Sequence, residues 1–231
     1  MHGLTMHGLT IDPGIAEVQS LPFWTGPISI WPLTDGPDNR SYGVQQADGQ
    51  RFAVRLGRDR PQHGIMRFNE QEAARAAAKS GISPRIQYAQ PGVLVSRMLP
   101  GRSLEAAEVR EPENLARIVA LLQHCHTGMA KFLTGPLLSY WVFHANRSYA
   151  SALERACNRM SDELPRLLSL NDALERRVGK VEVAFTHNSL TAGNIFDDGA
   201  RLWLLDWERA GFNTPIFDLS YLSASNGFYP S

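Results

Sequence analysis

Between Phe185 and Glu208 the chain carries oxygen-bearing side chains at spacings that suit a metal ion and a phosphate. The run is Phe185-Thr186-His187-Asn188-Ser189-Leu190-Thr191-Ala192-Gly193-Asn194-Ile195-Phe196, with Leu205-Asp206-Trp207-Glu208 downstream. Asp206, closing an apolar run that reads as a buried strand, is a hard carboxylate ligand of the kind Mg²⁺ takes. Asn194 lies one hairpin away and can supply a second oxygen. Glu208 stands two residues past Asp206. Alternation along an extended chain would bring it to the same side, into the metal shell directly or through water. Phosphoryl transfer needs such parts: phosphates held, a metal fixed, an acceptor hydroxyl in line and a destination for its proton.

Those side chains need elements to position them. Residues 28–33 form a short apolar run, and 40–46 and 51–56 alternate. The last two are joined by Ala47-Asp48-Gly49-Gln50, whose Asp-Gly pair signals a hairpin. Residues 68–80, dense in Glu, Gln and Ala, predict a helix stopped by Gly81, with Pro84 beyond. Strands follow over 86–88 and 93–98, and Pro100-Gly101 breaks the pattern. The break divides a β-rich lobe at 21–99 from a helical lobe at 100–231. Helices are expected over 113–132, 141–160 and 164–178, the first with a buried face of Leu115, Ile118, Val119, Leu122 and Met129. A strand over 181–185 then feeds the loop at His187. Phe196-Asp197-Asp198-Gly199-Ala200 turns a hairpin into 201–205, and a last helix spans 215–224.

Composition bounds the partners. The 231 residues hold 23 Lys+Arg and 23 Asp+Glu, a balance that gives no footprint for nucleic acid or an anionic membrane surface. An anionic ligand must be met by local charge. Cys125 and Cys157 are too few for a disulfide framework, so a cytoplasmic setting is expected. No apolar run has the length of a bilayer span, so no membrane insertion is expected. Met1-His2-Gly3-Leu4-Thr5 recurs as Met6-His7-Gly8-Leu9-Thr10, a duplicated start or cloning scar, and residues 1–20 are set aside as a disordered N-terminus. Gln123-His124-Cys125-His126 invites a metal reading, but consecutive helical residues fan around the axis and cannot converge on one ion. No Gly-x-x-x-x-Gly-Lys-Ser/Thr occurs, which excludes a P-loop.

A β-rich lobe followed by a helical lobe that carries a polar loop and an acidic hairpin is the two-lobed kinase arrangement. His-Asn-x-Leu at 187–190, Asn194 and Asp206-Trp207-Glu208 resemble the choline/ethanolamine kinase and aminoglycoside phosphotransferase superfamily, with bacterial choline kinase-like members the nearer match. Asn39-Arg40-Ser41-Tyr42, Phe52-Ala53-Val54-Arg55-Leu56, Arg67-Phe68-Asn69-Glu70 and Phe217-Asp218-Leu219 follow in the family's order across roughly 28–225. The resemblance implies an α+β protein-kinase-like fold that binds Mg²⁺ and ATP between its lobes and phosphorylates a hydroxyl of a small amino alcohol, choline or ethanolamine. It implies that Arg55 reaches the α- and β-phosphates as a fork-shaped contact, with Glu70 as its ion-pair partner and Glu72 in reserve. Asn39, Arg40 and Ser41 fall in the nucleotide-binding part, where the loop Asp35-Gly36-Pro37-Asp38-Asn39 would cover the phosphates. His187 resembles a residue that shapes the loop through backbone carbonyls, and Asp218 one that braces it from below.

Ser189 departs from the pattern. The matching family position is an Asp that orients the acceptor hydroxyl and takes its proton, and a serine has no usable basicity near neutral pH. A general base of this type contributes about 10²–10⁴-fold in rate. Binding of Mg·ATP with severely reduced transfer is therefore expected. Rival readings are a pseudokinase acting as a nucleotide-responsive module, an aminoglycoside- or thiamine-type kinase, and a truncated remnant. Relatives continue past the Phe-Asp-Leu helix with elements that line the acceptor pocket, whereas this sequence stops at Tyr229-Pro230-Ser231. A quaternary ammonium wants an aromatic cage, for which Trp141, Trp207, Phe212, Phe228 and Tyr229 are available, most of them better suited to the core. Arg209 stands where near relatives tend to carry an aromatic, and its charge would repel a cationic acceptor.

Overall fold

Alternation shapes the first half of the chain. In the computed structural model, which describes residues 12–35, 39–156 and 159–228, strands β1 (Ile28–Asp35), β2 (Asn39–Gln46), β3 (Arg51–Gly57), β4 (Ile86–Gln90) and β5 (Val93–Arg97) form one sheet in the order β1-β2-β3-β5-β4. The tandem repeat, residues 36–38 of the covering loop, Cys157 and Tyr229 lie outside the described residues. The pairs β1–β2, β2–β3 and β3–β5 are antiparallel, and Val54 faces Tyr42 on one side and Val95 on the other. Every second residue of these strands therefore enters one core, built from Tyr42, Val44, Phe52, Val54, Leu56, Val93 and Val95. Burying each such apolar side chain is worth about 1.5–3 kcal/mol relative to exposure.

Helix α1 (Pro13–Gln19) lays Val18 into the same core. For residues 12–20, the described part of the segment set aside as disordered, this corrects the expectation. The local signals are ordinary: Asp12 caps the helix through Gly14 N at 2.9 Å, and Pro13 starts it. The Asp12 carboxylate also accepts from the Tyr42 hydroxyl (2.8 Å) and from Arg40 (3.1 Å). These hydrogen bonds, led by that from Gly14, hold its carboxyl below the usual range.

The chain divides into two units, one of residues up to Gly57 with Gln87–Met98, the other of Arg58–Ile86 with Leu99 onward. Helix α2 (Arg67–Ser80), ended by Gly81 at φ 83°, belongs to the second unit rather than to the β-rich one. Its Asn69 donates to Ala210 O (2.7 Å) and accepts from Leu138 N (2.8 Å). The second unit also holds β6 (Arg102–Ser103), α3 (Ala106–Val109), α4 (Pro112–Gly128), α5 (Val142–Arg155), α6 (Leu164–Val178), β7 (Ala184–Thr186), β8 (Ile195–Asp197), β9 (Leu202–Leu204), β10 (Gly211–Asn213) and α7 (Pro215–Ser225). On α4, Ile118, Leu122 and Cys125 turn inward, while Val119, placed on the buried face by periodicity, is 47% exposed. Strands β6-β8-β9 make one small sheet and β10-β7 another. No helix among the described residues is long and apolar enough to cross a membrane.

Candidate active site

The loop after β7 is held from beneath by a single buried carboxylate. Asp218, on α7 and 0% exposed, accepts from His187 N (2.9 Å) through Oδ2 and from Asn188 N (2.7 Å) through Oδ1. Asn188 adopts φ 63°, a left-handed conformation that non-glycine residues reach at a cost of roughly 1–3 kcal/mol. Its side chain offsets that cost. Oδ1 accepts from Asn213 Nδ2 (2.9 Å) and lies 3.0 Å from the Thr186 hydroxyl, and Nδ2 donates to Arg209 O (3.0 Å). The loop is thus fixed on the residue immediately before Ser189.

His187 is fully buried, donates from Nε2 to Leu205 O (2.8 Å), and packs its ring against Trp207 at 4.8 Å. It ties the loop to the acidic hairpin through a backbone carbonyl, a scaffold's position. Trp207, 2% exposed, anchors its indole N–H on Ser83 Oγ at 3.1 Å. Two residues back from Trp207, Leu205 N donates to Asn194 O at 2.9 Å, extending the β8–β9 pairing to the edge of Asp206. Asn194 and Asp206 therefore sit at the same end of one hairpin. Asn194 donates its Nδ2 to Ser189 O (2.8 Å), which commits the nitrogen and leaves Oδ1 without a protein partner among the described residues. The Ser189 hydroxyl likewise makes no side-chain hydrogen bond among the described residues.

Asp206 differs from the sequence expectation in backbone. It has φ 66°, in the left-handed region, and the chain from Leu205 to Glu208 is not a strand. Side chains do not alternate through such a turn, so the argument that placed Glu208 beside Asp206 fails. Glu208 turns inward instead, to 7% exposure, and its Oε2 lies 3.4 Å from Arg67 Nη1. Arg67 also donates to Glu70 Oε2 at 2.6 Å and, from Nε, to Arg58 O at 2.8 Å. The result is a buried Glu70–Arg67–Glu208 group.

In the other unit, Arg55 pairs across the sheet with Ser41 and Leu94, on the face opposite Phe52, Val54 and Leu56. Ser41 shares that face, and Asn39 and Arg40 open β2. Arg40 forms an ion pair with Asp12, with both side chains about two-fifths exposed.

The aromatic residues proposed for a cage are mostly structural. Trp141 donates to Glu175 and packs edge-on with Phe143. Phe212 packs edge-on with Phe185. Burial works against the Arg209 charge, but the hydrogen bond to Tyr149 and the nearby Glu208 offset it and hold the guanidinium above its ordinary range. Burial, and then the Asp218 charge, push the Cys125 thiol well above the range in which it ionises readily, so it is no nucleophile.

Two residues outside the expected set matter here. His126 Nε2 lies 2.8 Å from Asp218 Oδ2, whereas His124 faces Ser80 O (3.1 Å), so the two histidines diverge. Among the described residues no three His, Cys, Asp or Glu side chains form a metal-binding group. Arg67 is the other. Its spacing to Glu70, three positions on a helix, was the only signal for that contact in the sequence.

An antiparallel sheet unit, a helical unit and a braced loop facing an acidic hairpin define an α+β protein of protein-kinase-like fold. LicA in complex with AMP superposes with a TM-score of 0.76 at 20% identity, covering 97% of this chain and 77% of that one. The family model for choline/ethanolamine kinase matches residues 30–225, and the chain belongs to that family. LicA of Haemophilus influenzae is 28% identical over 156 residues, 66% of this chain and 56% of that protein. A choline/ethanolamine kinase family protein from Mesorhizobium loti gives a TM-score of 0.69 at 26% identity, covering 94% of this chain and 71% of that one. The chain spans about half the length of the curated relatives it matches.

Proposed function

We propose that this chain is an ATP-dependent phosphotransferase unit that directs the γ-phosphate to a hydroxyl of a small amino alcohol, choline or ethanolamine, with transfer impaired by Ser189. The observation that carries the reading is the hairpin end that brings Asn194 and Asp206 beside a loop braced on Asp218. Family membership and the AMP complex of a structural neighbour support a nucleotide as the phosphate source.

A divalent ion suits the donors present. Asn194 offers an amide oxygen and Asp206 a carboxylate, both hard ligands, and Mg²⁺ usually takes only one or two protein ligands beside water and phosphate oxygens. When bound, the ion supplies charge neutralisation of the phosphates. The chain's own residues do the rest. Asp218 fixes the backbone of the loop, Asn188 sets the direction of the chain entering Ser189, and Asn194 clamps the Ser189 carbonyl. At Ser189 the hydroxyl can orient an acceptor by hydrogen bonding but cannot hold its proton near neutral pH. Arg55, Asn39, Arg40 and Ser41 are assigned to the nucleotide, and Glu208 is assigned to the buried Arg67 group in preference to the metal.

The test is turnover of choline and ethanolamine with Mg·ATP by the parent chain and by Ser189→Asp. The variant should gain about 10²–10⁴-fold in rate. Equal, robust turnover by both would contradict the impairment. Mg·ATP should raise the thermal midpoint of the parent, since a ligand bound only by the folded state stabilises it. No shift at millimolar nucleotide would remove the nucleotide reading altogether. A midpoint shift with no turnover by either protein would favour a nucleotide-responsive binding module.

A further inference from the structure

We propose that the outer face of α6 is a self-association surface, on which two copies of this chain pair with their α6 helices antiparallel. The proposal goes beyond the phosphotransferase reading and does not depend on it. Helix α6 turns two stripes to two environments. Asn171 is buried against α5, where it accepts from Asn146 Nδ2 (2.9 Å) and donates to Phe143 O (3.3 Å). The neighbouring stripe is Leu167, Leu170, Leu174 and Val178, spaced as one helical face and between 37 and 48% exposed. A helix with its apolar side already committed to α5 has no internal reason to carry a second one in water. Beside this stripe, α5 and α6 enclose an apolar groove of about 340 Å³ walled by Phe143, Leu153 and Leu168. A cavity of roughly 150 Å³ already holds a benzene-sized group, so the groove admits a leucine from outside.

Charge at the two ends of the stripe selects a second copy as the occupant. Glu163 stands at the N-terminal end, its side chain 53% exposed and bridged to Arg166 at 2.9 Å, and the exposed Arg177 stands at the C-terminal end. At 3.6 residues per turn, both lie within about 20° of Leu170 around the helix axis. Parallel pairing would set like charge against like at each end. Antiparallel pairing about an axis at Leu170 sets Glu163 of each copy against Arg177 of the other, and Leu167 against Leu174. It also opposes the two helix dipoles. A two-fold interface must be self-complementary in this way. The chain carries 23 Lys+Arg and 23 Asp+Glu, so two copies meet without net repulsion. The hairpin of α5 and α6 offers a face of roughly 22 by 20 Å. Two such faces lie at the low end of specific interface areas, which points to a dissociation constant on the order of micromolar.

The experiment is sedimentation equilibrium of the full chain from about 1 to 200 µM, where a pair of this size should pass from monomer to dimer. Leu170→Glu sets two carboxylates side by side at the axis and should weaken association about 100-fold or more. Cysteine placement then reads the orientation, in a Cys157→Ser background under a mild oxidant. Leu170→Cys should link two chains through a disulfide. Leu167→Cys should not, because its two copies stand about 10 Å apart along the helices and a disulfide needs Cα atoms within about 7 Å. Leu167→Cys mixed with Leu174→Cys should link. These links do not depend on how well the glutamate variant folds. A parent that stays monomeric at about 200 µM would overturn the proposal and assign the face to an occupant other than a second copy. A dimer untouched by a folded Leu170→Glu would move association off this face. Linking as ready in Leu167→Cys as in Leu170→Cys would overturn the antiparallel order.

Discussion

Replacing Asp218 by alanine tests the bracing of the loop most directly. The carboxylate is fully buried and accepts three hydrogen bonds, at 2.9, 2.7 and 2.8 Å, from His187 N, Asn188 N and His126 Nε2. Alanine leaves two buried backbone N–H groups and one imidazole N–H without their acceptor, at about 1–3 kcal/mol each. Partial relaxation brings the sum to roughly 3–5 kcal/mol, within the range for breaking a buried network. Chains of 150–250 residues lose about 2–4 °C of melting midpoint per kcal/mol, so the midpoint should fall by on the order of 6–20 °C. Calorimetry at neutral pH reads the midpoint, and urea titration reads the free energy. A midpoint within about 2 °C of the parent would refute the reasoning, because it would mean that the loop amides find other acceptors at no cost. Asp218→Asn should remain well below the parent, since one oxygen becomes an N–H₂ that confronts a loop donor.

Arg67→Met should be comparably costly. It leaves Glu70 and Glu208, with side chains 4% and 9% exposed, without the guanidinium between them, and removing one partner of a buried ion pair costs about 3–5 kcal/mol. Urea unfolding checks this, and Arg67→Met with Glu70→Gln and Glu208→Gln should recover part of the loss. Acid stability should track Glu108, whose carboxyl is pulled down to about 2 by the Arg102 hydrogen bond and then by the Glu105 amide. A carboxyl depressed in the folded state stabilises it above the unfolded value, near 4.5, and that contribution disappears as pH falls through about 2. Glu108→Gln should therefore flatten the midpoint-versus-pH curve between pH 5 and 2, with less effect in high salt because the pair is at the surface.

Much of this architecture can be read from residue order. The β2–β3 hairpin announces itself by alternation around Asp48-Gly49, because local rules and burial agree there. The α1 helix had its own signals in Asp12 and Pro13 but stands next to the repeated pentapeptide, and what secures it is Val18 meeting a sheet far along the chain. Asn194 and Asp206 are legible as oxygen donors. The turn at Asp206 is not, because a left-handed backbone at an aspartate leaves only a weak mark in composition. The same holds for His126: helical fanning rightly removes it from a metal site, yet its partner lies 92 positions away on another helix.

The left-handed turn at residue 206 sets two separate entrance requirements, one of shape and one of charge. Glycine and asparagine satisfy the shape and forfeit the anion, while glutamate keeps the anion on a backbone that resists the turn. Exchanges usually ranked as conservative thus fail at this position for opposite reasons. Side by side, they separate what the hairpin owes to its fold from what it owes to its field.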